Sequence, residues 1–127
     1  MDKFIVDEWI NFSKIDLAAA KHLNDTMQPR PYTIICYHCQ QSAEKIMKAY
    51  LIYKDADPPK THDLELLRKK CEFWEDSFIR IFMECVRLNP YSSQLRYPST
   101  SELSEEISNI AIDDGMKVFN FTKNRIA

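Results

Sequence analysis

Apolar residues recur along this chain at steps of three and four, the spacing of one face of an α-helix. In a first segment, from about Phe4 to Met27, the stripe is Val6, Trp9, Phe12, Asp16, Ala20, Leu23 and Met27. Pro29 and Pro31 end it, and Pro31 suits the first turn of a second helix reaching to about Lys54. This second helix is apolar on two sides. Tyr32, Ile35, Cys39, Ala43, Ile46 and Tyr50 form one, and Cys36, Met47 and Leu51 form another, a pattern that predicts a central helix with several neighbours. Asp55 to Lys60 is a loop, Thr61 is the expected N-cap of a short third helix through Leu64, Leu67 and Cys71, and Asp63 falls in its first turn. A fourth helix spans about Asp76 to Leu88, with Ile79, Phe82, Met83 and Val86 among two overlapping apolar faces, and Asn89-Pro90 stops it. After a loop from Tyr91 to Thr100, a last helix starts at Ser101 or Glu102. It repeats Leu103, Ile107, Ile110, Asp114, Val118 and Phe121. The expectation is a single all-α domain over residues 1–127, an antiparallel four- to five-helix bundle.

Composition sharpens that picture through one number. Gly115 is the single glycine in 127 residues, where average usage would give about nine. Hairpin turns draw on glycine for positive φ, so the scarcity argues against sheet folds. It also removes P-loops and dinucleotide fingerprints, which need at least two glycines. Seventeen basic and nineteen acidic residues leave a net charge of −2, with no general attraction to nucleic-acid backbones. The opening MDKFIVDEW does not read as a signal peptide, and the longest uncharged stretch, Pro31 to Ala43, is too short and polar to span a bilayer. A cytoplasmic protein with no membrane association is expected.

Cys36 and Cys39 form a CxxC around His38, which invites a metal or redox reading. Cys71 and Cys85 supply no matching pair. Reduced core thiols are the plainer reading, with no metal and no cofactor expected.

Trp9 with Asp16-Leu17, then QQSAEKIMKAYLI from Gln40 to Ile52, then THDLELL from Thr61 to Leu67, then Tyr91 and LRYP from Leu95 to Pro98 resemble, in order and spacing, HEPN domains. The resemblance implies an all-α bundle commonly paired as a homodimer. It also implies nucleotide or RNA binding and a separately encoded minimal nucleotidyltransferase as partner, in a toxin–antitoxin or regulatory pair. Some members are metal-independent ribonucleases that use an arginine, four to six residues, then a histidine. That motif is missing here: Arg30 and His38 are separated by seven residues, and no arginine stands correctly before His22 or His62. The resemblance is to the RYP-containing branch, and no catalytic residue is carried over.

The candidate ligand residues are Arg96, Tyr97, Tyr91, Lys45, Lys48 and His62. An arginine fork beside an aromatic ring can grip phosphate and stack a base. Structurally, Arg96 would pair a core-facing acid such as Asp16 or Glu44. Lys45 and Lys48 share a helix face with Gln41 and could meet a phosphate, although Glu44 and Lys48 also make an i,i+4 surface pair. His62 could transfer protons, or simply cap the third helix. Arg68, Lys69 and Lys70 read as a solvated face. The expected function is a binding module; the alternative is a ribonuclease with a non-standard site built from His62 or His38 with Arg96.

Overall fold

A computed structural model describes residues 1–93 and 103–127. Five α-helices run α1 (Lys3–Thr26), α2 (Tyr32–Tyr53), α3 (Leu64–Trp74), α4 (Phe82–Leu88) and α5 (Glu105–Lys123). Two 3-10 turns, Asp76–Ile81 and Asn89–Ser92, bracket α4. The described residues contain no strand.

The helix ends follow local chemistry. Asp2 caps α1, accepting from the Phe4 and Ile5 amides, and Asp63 caps α3 by accepting from Glu65 and Leu66. The expected cap, Thr61, instead accepts from the Asp63 amide just before the helix. Ser104 caps α5, so that helix begins later than its apolar pattern suggests. At the end of α2, Asp55 takes the left-handed conformation with φ 58°. The Ala56 amide reaches back to Leu51 O and the Asp55 amide to Ile52 O, the bond pair of a Schellman ending. Aspartate tolerates this region better than most residues.

α2 is the central helix, packed against α1, α3, α4 and α5. Its fully buried residues include Ile35, Cys36, Cys39, Ala43, Ile46, Met47 and Tyr50, so both sequence faces are core. Contacts between Trp9 and Lys48, Ser13 and Ser42, and Asp16 and His38 give α1 and α2 an antiparallel register. Arg87 with Asp114 and Glu84 with Lys117 do the same for α4 and α5.

Three stripe expectations need correction. On α1, Phe12 and Met27 are exposed, and the buried line runs through Val6, Ile10, Ser13, Asp16, Leu17 and Ala20. Ser13 is admitted because its hydroxyl donates to Ser42 O at 2.7 Å. Around α4, Ile79, Phe82, Met83 and Val86 face out, while Phe78, Ile81, Cys85 and Leu88 are fully buried. On α5, Ile110 is exposed and Ala111 is buried instead. Gly115 lies where α5 crosses α1 and α2: a Cβ there would stand 3.4 Å from Leu17 Cδ1 and 3.5 Å from Cys39 Cβ.

A carboxylate-anchored polar face on α1 and α2

Two buried carboxylates organise the candidate site. Asp16, on α1, accepts from Lys45 Nζ at 2.6 Å through one oxygen and meets His38 Nδ1 at 2.8 Å through the other. Glu44, on α2, is 4% exposed and holds Lys48 Nζ at 3.1 Å and His62 Nδ1 at 2.8 Å. A carboxylate only accepts, so both imidazoles donate through Nδ1–H. The local sequence explains the placement. Gln41, Lys45 and Lys48 recur at helical spacing on the face of α2 that α1 covers, and His62 stands just before the α3 cap.

A glutamine relay completes the Glu44 end. Gln40 Nε2 donates to His62 O at 3.0 Å, fixing the backbone that carries the imidazole, and Gln41 Nε2 donates to Gln40 Oε1 at 2.8 Å. Both glutamines are buried. Lys48 lies 5.8 Å from the centre of the Trp9 ring, a cation–π distance. Two lysines balance two carboxylates. The His62 side chain is 70% exposed. With Nδ1 anchored, it presents its remaining ring edge beside a crevice of about 440 Å³ lined also by Asp63, Asn89 and Ser92.

The structure thus places Lys45, Lys48 and His62 as the partners of two buried carboxylates, Lys45 on Asp16 and Lys48 with His62 on Glu44. It corrects one expectation here: Glu44–Lys48 is a buried pair, not a solvated one. Asp16 finds Lys45 and His38 as partners. Arg96 and Tyr97 lie outside the described residues. Tyr91 is not part of the cluster; it sits in the 3-10 turn after α4 and lines a separate crevice with Arg87 and Asp114. Burial there raises its hydroxyl pKa above the ordinary tyrosine value. Sequence reasoning missed Gln40 and the His38–Asp16 bond. The polar residues His38, Gln40, Gln41, Ser42, Glu44, Lys45 and Lys48, set among the apolar positions of α2, were the signal for them.

Arg68 is also misjudged by sequence. It is buried, donates to Glu65 and Glu72, and covers the Phe82 ring at 5.3 Å. All four cysteines are free and fully buried, and desolvation pushes the Cys36 thiol up to about 12 and raises the others. Such thiols are poor nucleophiles and poor ligands. No helix among the described residues is long and apolar enough to cross a membrane.

A search of curated proteins gave no match. Among solved structures, the crystal structure of ST0689, an archaeal HEPN homologue, superposes with a TM-score of 0.77 at 21% identity, over 96% of this chain and 98% of that one. That similarity carries the fold. The family model for the HEPN domain matches residues 6–126, which include every side chain of the α1–α2 polar face. The chain belongs to the HEPN domain family.

Proposed function

We propose that this HEPN domain is a nucleotide- or RNA-binding module whose polar face, with His62 at its open edge, receives phosphate. The observation that carries this reading is the Glu44–His62 pair. A buried carboxylate fixes the tautomer and direction of an imidazole whose other nitrogen makes no bond among the described residues. That arrangement is costly to bury and presents a directed group to solvent, which a purely packing role does not require. Lys45 and Lys48 supply positive charge beside it, and Arg96 and Tyr97 are the further contacts the RYP motif supports. The same reading has the domain act as a homodimer with a separately encoded minimal nucleotidyltransferase.

The test is a titration of ATP, GTP and short RNA, followed by fluorescence anisotropy or calorimetry, on wild type, His62→Ala and Arg96→Ala. Saturable binding weakened by either substitution supports the proposal. Flat curves for every ligand refute it. For the partner, co-purification with a nucleotidyltransferase encoded beside the gene is expected; a lone gene counts against that half.

A second reading rests on the same pair. An imidazole oriented by a carboxylate is also the minimal acid–base unit of a metal-independent ribonuclease. Cleavage of single-stranded RNA that persists in chelator and disappears in His62→Ala would establish it. Equal cleavage by wild type and variant would point to contamination.

A further inference from the structure

The outward face of α3 carries a surface feature that shares no residue with the polar face described above. Leu66, Lys69, Lys70, Phe73 and Trp74 line one cleft of about 490 Å³, together with Asp57 from the turn after α2. Phe73 is 80% exposed, the most exposed large apolar residue among those described, and Trp74 is 44% exposed. Their rings meet edge to face, 5.2 Å apart at 88°, and the exposure of Phe73 leaves most of its ring open to solvent. Lys69 stands one turn before Phe73 and Lys70 one turn before Trp74. Neither lysine is ion-paired among the described residues, whereas the preceding Arg68 is buried between two glutamates.

Each part has a chemical reading. Two exposed rings in a helix of mixed polarity lose free energy by staying in water, unless something covers them. Unpaired ammonium groups one turn before each ring place positive charge beside whatever lies on the rings. Aromatic rings with cations beside them suit single-stranded nucleic acid, base on ring and phosphate on lysine. The cleft volume falls within the usual range for a bound small molecule, so it holds one nucleotide of such a strand. Asp57 offers an acceptor to a sugar hydroxyl or an exocyclic amine.

We infer that the Phe73–Trp74 cleft on α3 is a binding site for single-stranded RNA, stacking one base on Phe73 and setting flanking phosphates against Lys69 and Lys70. The site goes beyond the phosphate-binding face at His62 and stands or falls separately from it.

Trp74 makes the site directly observable. The chain has two tryptophans, so Trp9→Phe leaves Trp74 as the sole reporter. Titrating a twelve-residue oligouridylate at low salt should quench its fluorescence saturably. Phe73→Ala, at a position already exposed and therefore safe for folding, should weaken binding about tenfold, the usual loss for one stacked base. Lys69→Gln with Lys70→Gln should lower the salt dependence of log K by roughly 0.7 for each phosphate no longer neutralised. His62→Ala should leave the quenching unchanged, which separates this site from the polar face. Quenching that is absent, or that survives Phe73→Ala at full strength, overturns the inference. Equal affinity for uridine monophosphate, or equal quenching by an acidic, tyrosine-containing peptide, overturns it in favour of a mononucleotide pocket or a protein-docking surface.

Discussion

Replacing Glu44 by leucine should cost the fold far more than removing Glu44 and Lys48 together. In the single variant the Lys48 ammonium keeps its position beside Trp9, with its side chain 11% exposed, and loses its carboxylate partner. Stranding one partner of a buried ion pair costs about 3–5 kcal/mol. The flexible lysine stem can carry some of its charge toward water, so the lower end, about 3 kcal/mol, is expected. The neighbouring polar groups keep partners. Gln40 Nε2 retains His62 O, Gln41 Nε2 retains Gln40 Oε1, and the exposed His62 turns to solvent. Lys48→Met should cost less, about 1–2 kcal/mol, because Glu44 keeps the His62 bond. The double variant Glu44→Leu with Lys48→Met leaves no unpaired charge and should fall within about 1 kcal/mol of wild type. The cycle therefore predicts a coupling of about 3–5 kcal/mol, measured by urea unfolding at constant m-value. If Glu44→Leu costs under about 1 kcal/mol, or the coupling is near zero, Lys48 is not held by Glu44 as described. Ligand binding on the polar face should be lost in the double variant although its stability is recovered.

Gly115→Ala should leave stability unchanged or raise it by up to about 1 kcal/mol, since its Cβ meets ordinary contacts and gains helix propensity; Gly115→Leu should unfold the α1–α2–α5 crossing, and thermal melts read both. The four cysteines should resist alkylation in the native protein and react together once urea unfolds it; a fast-reacting native thiol would contradict their burial. Burial works against ionising Glu84, but the bond from Lys117 at 2.7 Å, its own backbone amide and Arg87 outweigh it and hold its pKa below the ordinary glutamate value. Its contribution is therefore fully present above that ordinary value and lost as pH falls through the folded one, so the gap in urea midpoint between wild type and Lys117→Met should close under acid.

The helices were legible because proline, capping residues and a 3.6-residue repeat punctuate this chain strongly. Which face of each helix turns inward was less so. At α1, hydropathy favours Phe12, yet the register turns on Ser13, whose hydroxyl is satisfied by Ser42 so that the two helices can approach. Around α4, two apolar stripes overlap in one short segment. The 3-10 turn at Asp76–Ile81 winds more tightly than an α-helix and selects Phe78, Ile81 and Cys85 for the core, where Phe78 meets Tyr50 and Phe121. A period of 3.6 cannot foresee that choice. For the site, Lys45, Lys48 and His62 could be named from their spacing and from the family resemblance. Their anchoring through Asp16, Gln40 and Glu44 joins residues far apart in the chain, and a local pattern holds no information about such pairs.

Two sets of buried carboxylates exist in this bundle, and their partners separate structure from function. Asp114 accepts from Arg87 Nε and Nη2, each at 2.8 Å, and Glu84 receives Lys117, so α4 is tied to α5 by cations whose charge does not change near neutral pH. Such pairs fix helix register and need nothing more. Asp16 and Glu44 are different: each takes one lysine and one imidazole. An imidazole is a poor permanent counter-ion, because its charge depends on pH. A second arginine or an asparagine would satisfy the buried oxygen at least as well. What an imidazole adds is a second nitrogen, oriented by the first and left facing outward. On His62 that nitrogen belongs to a mostly exposed ring at the edge of an open crevice. The choice of histidine over a fixed cation at Glu44 is thus the feature of this fold that packing alone does not require.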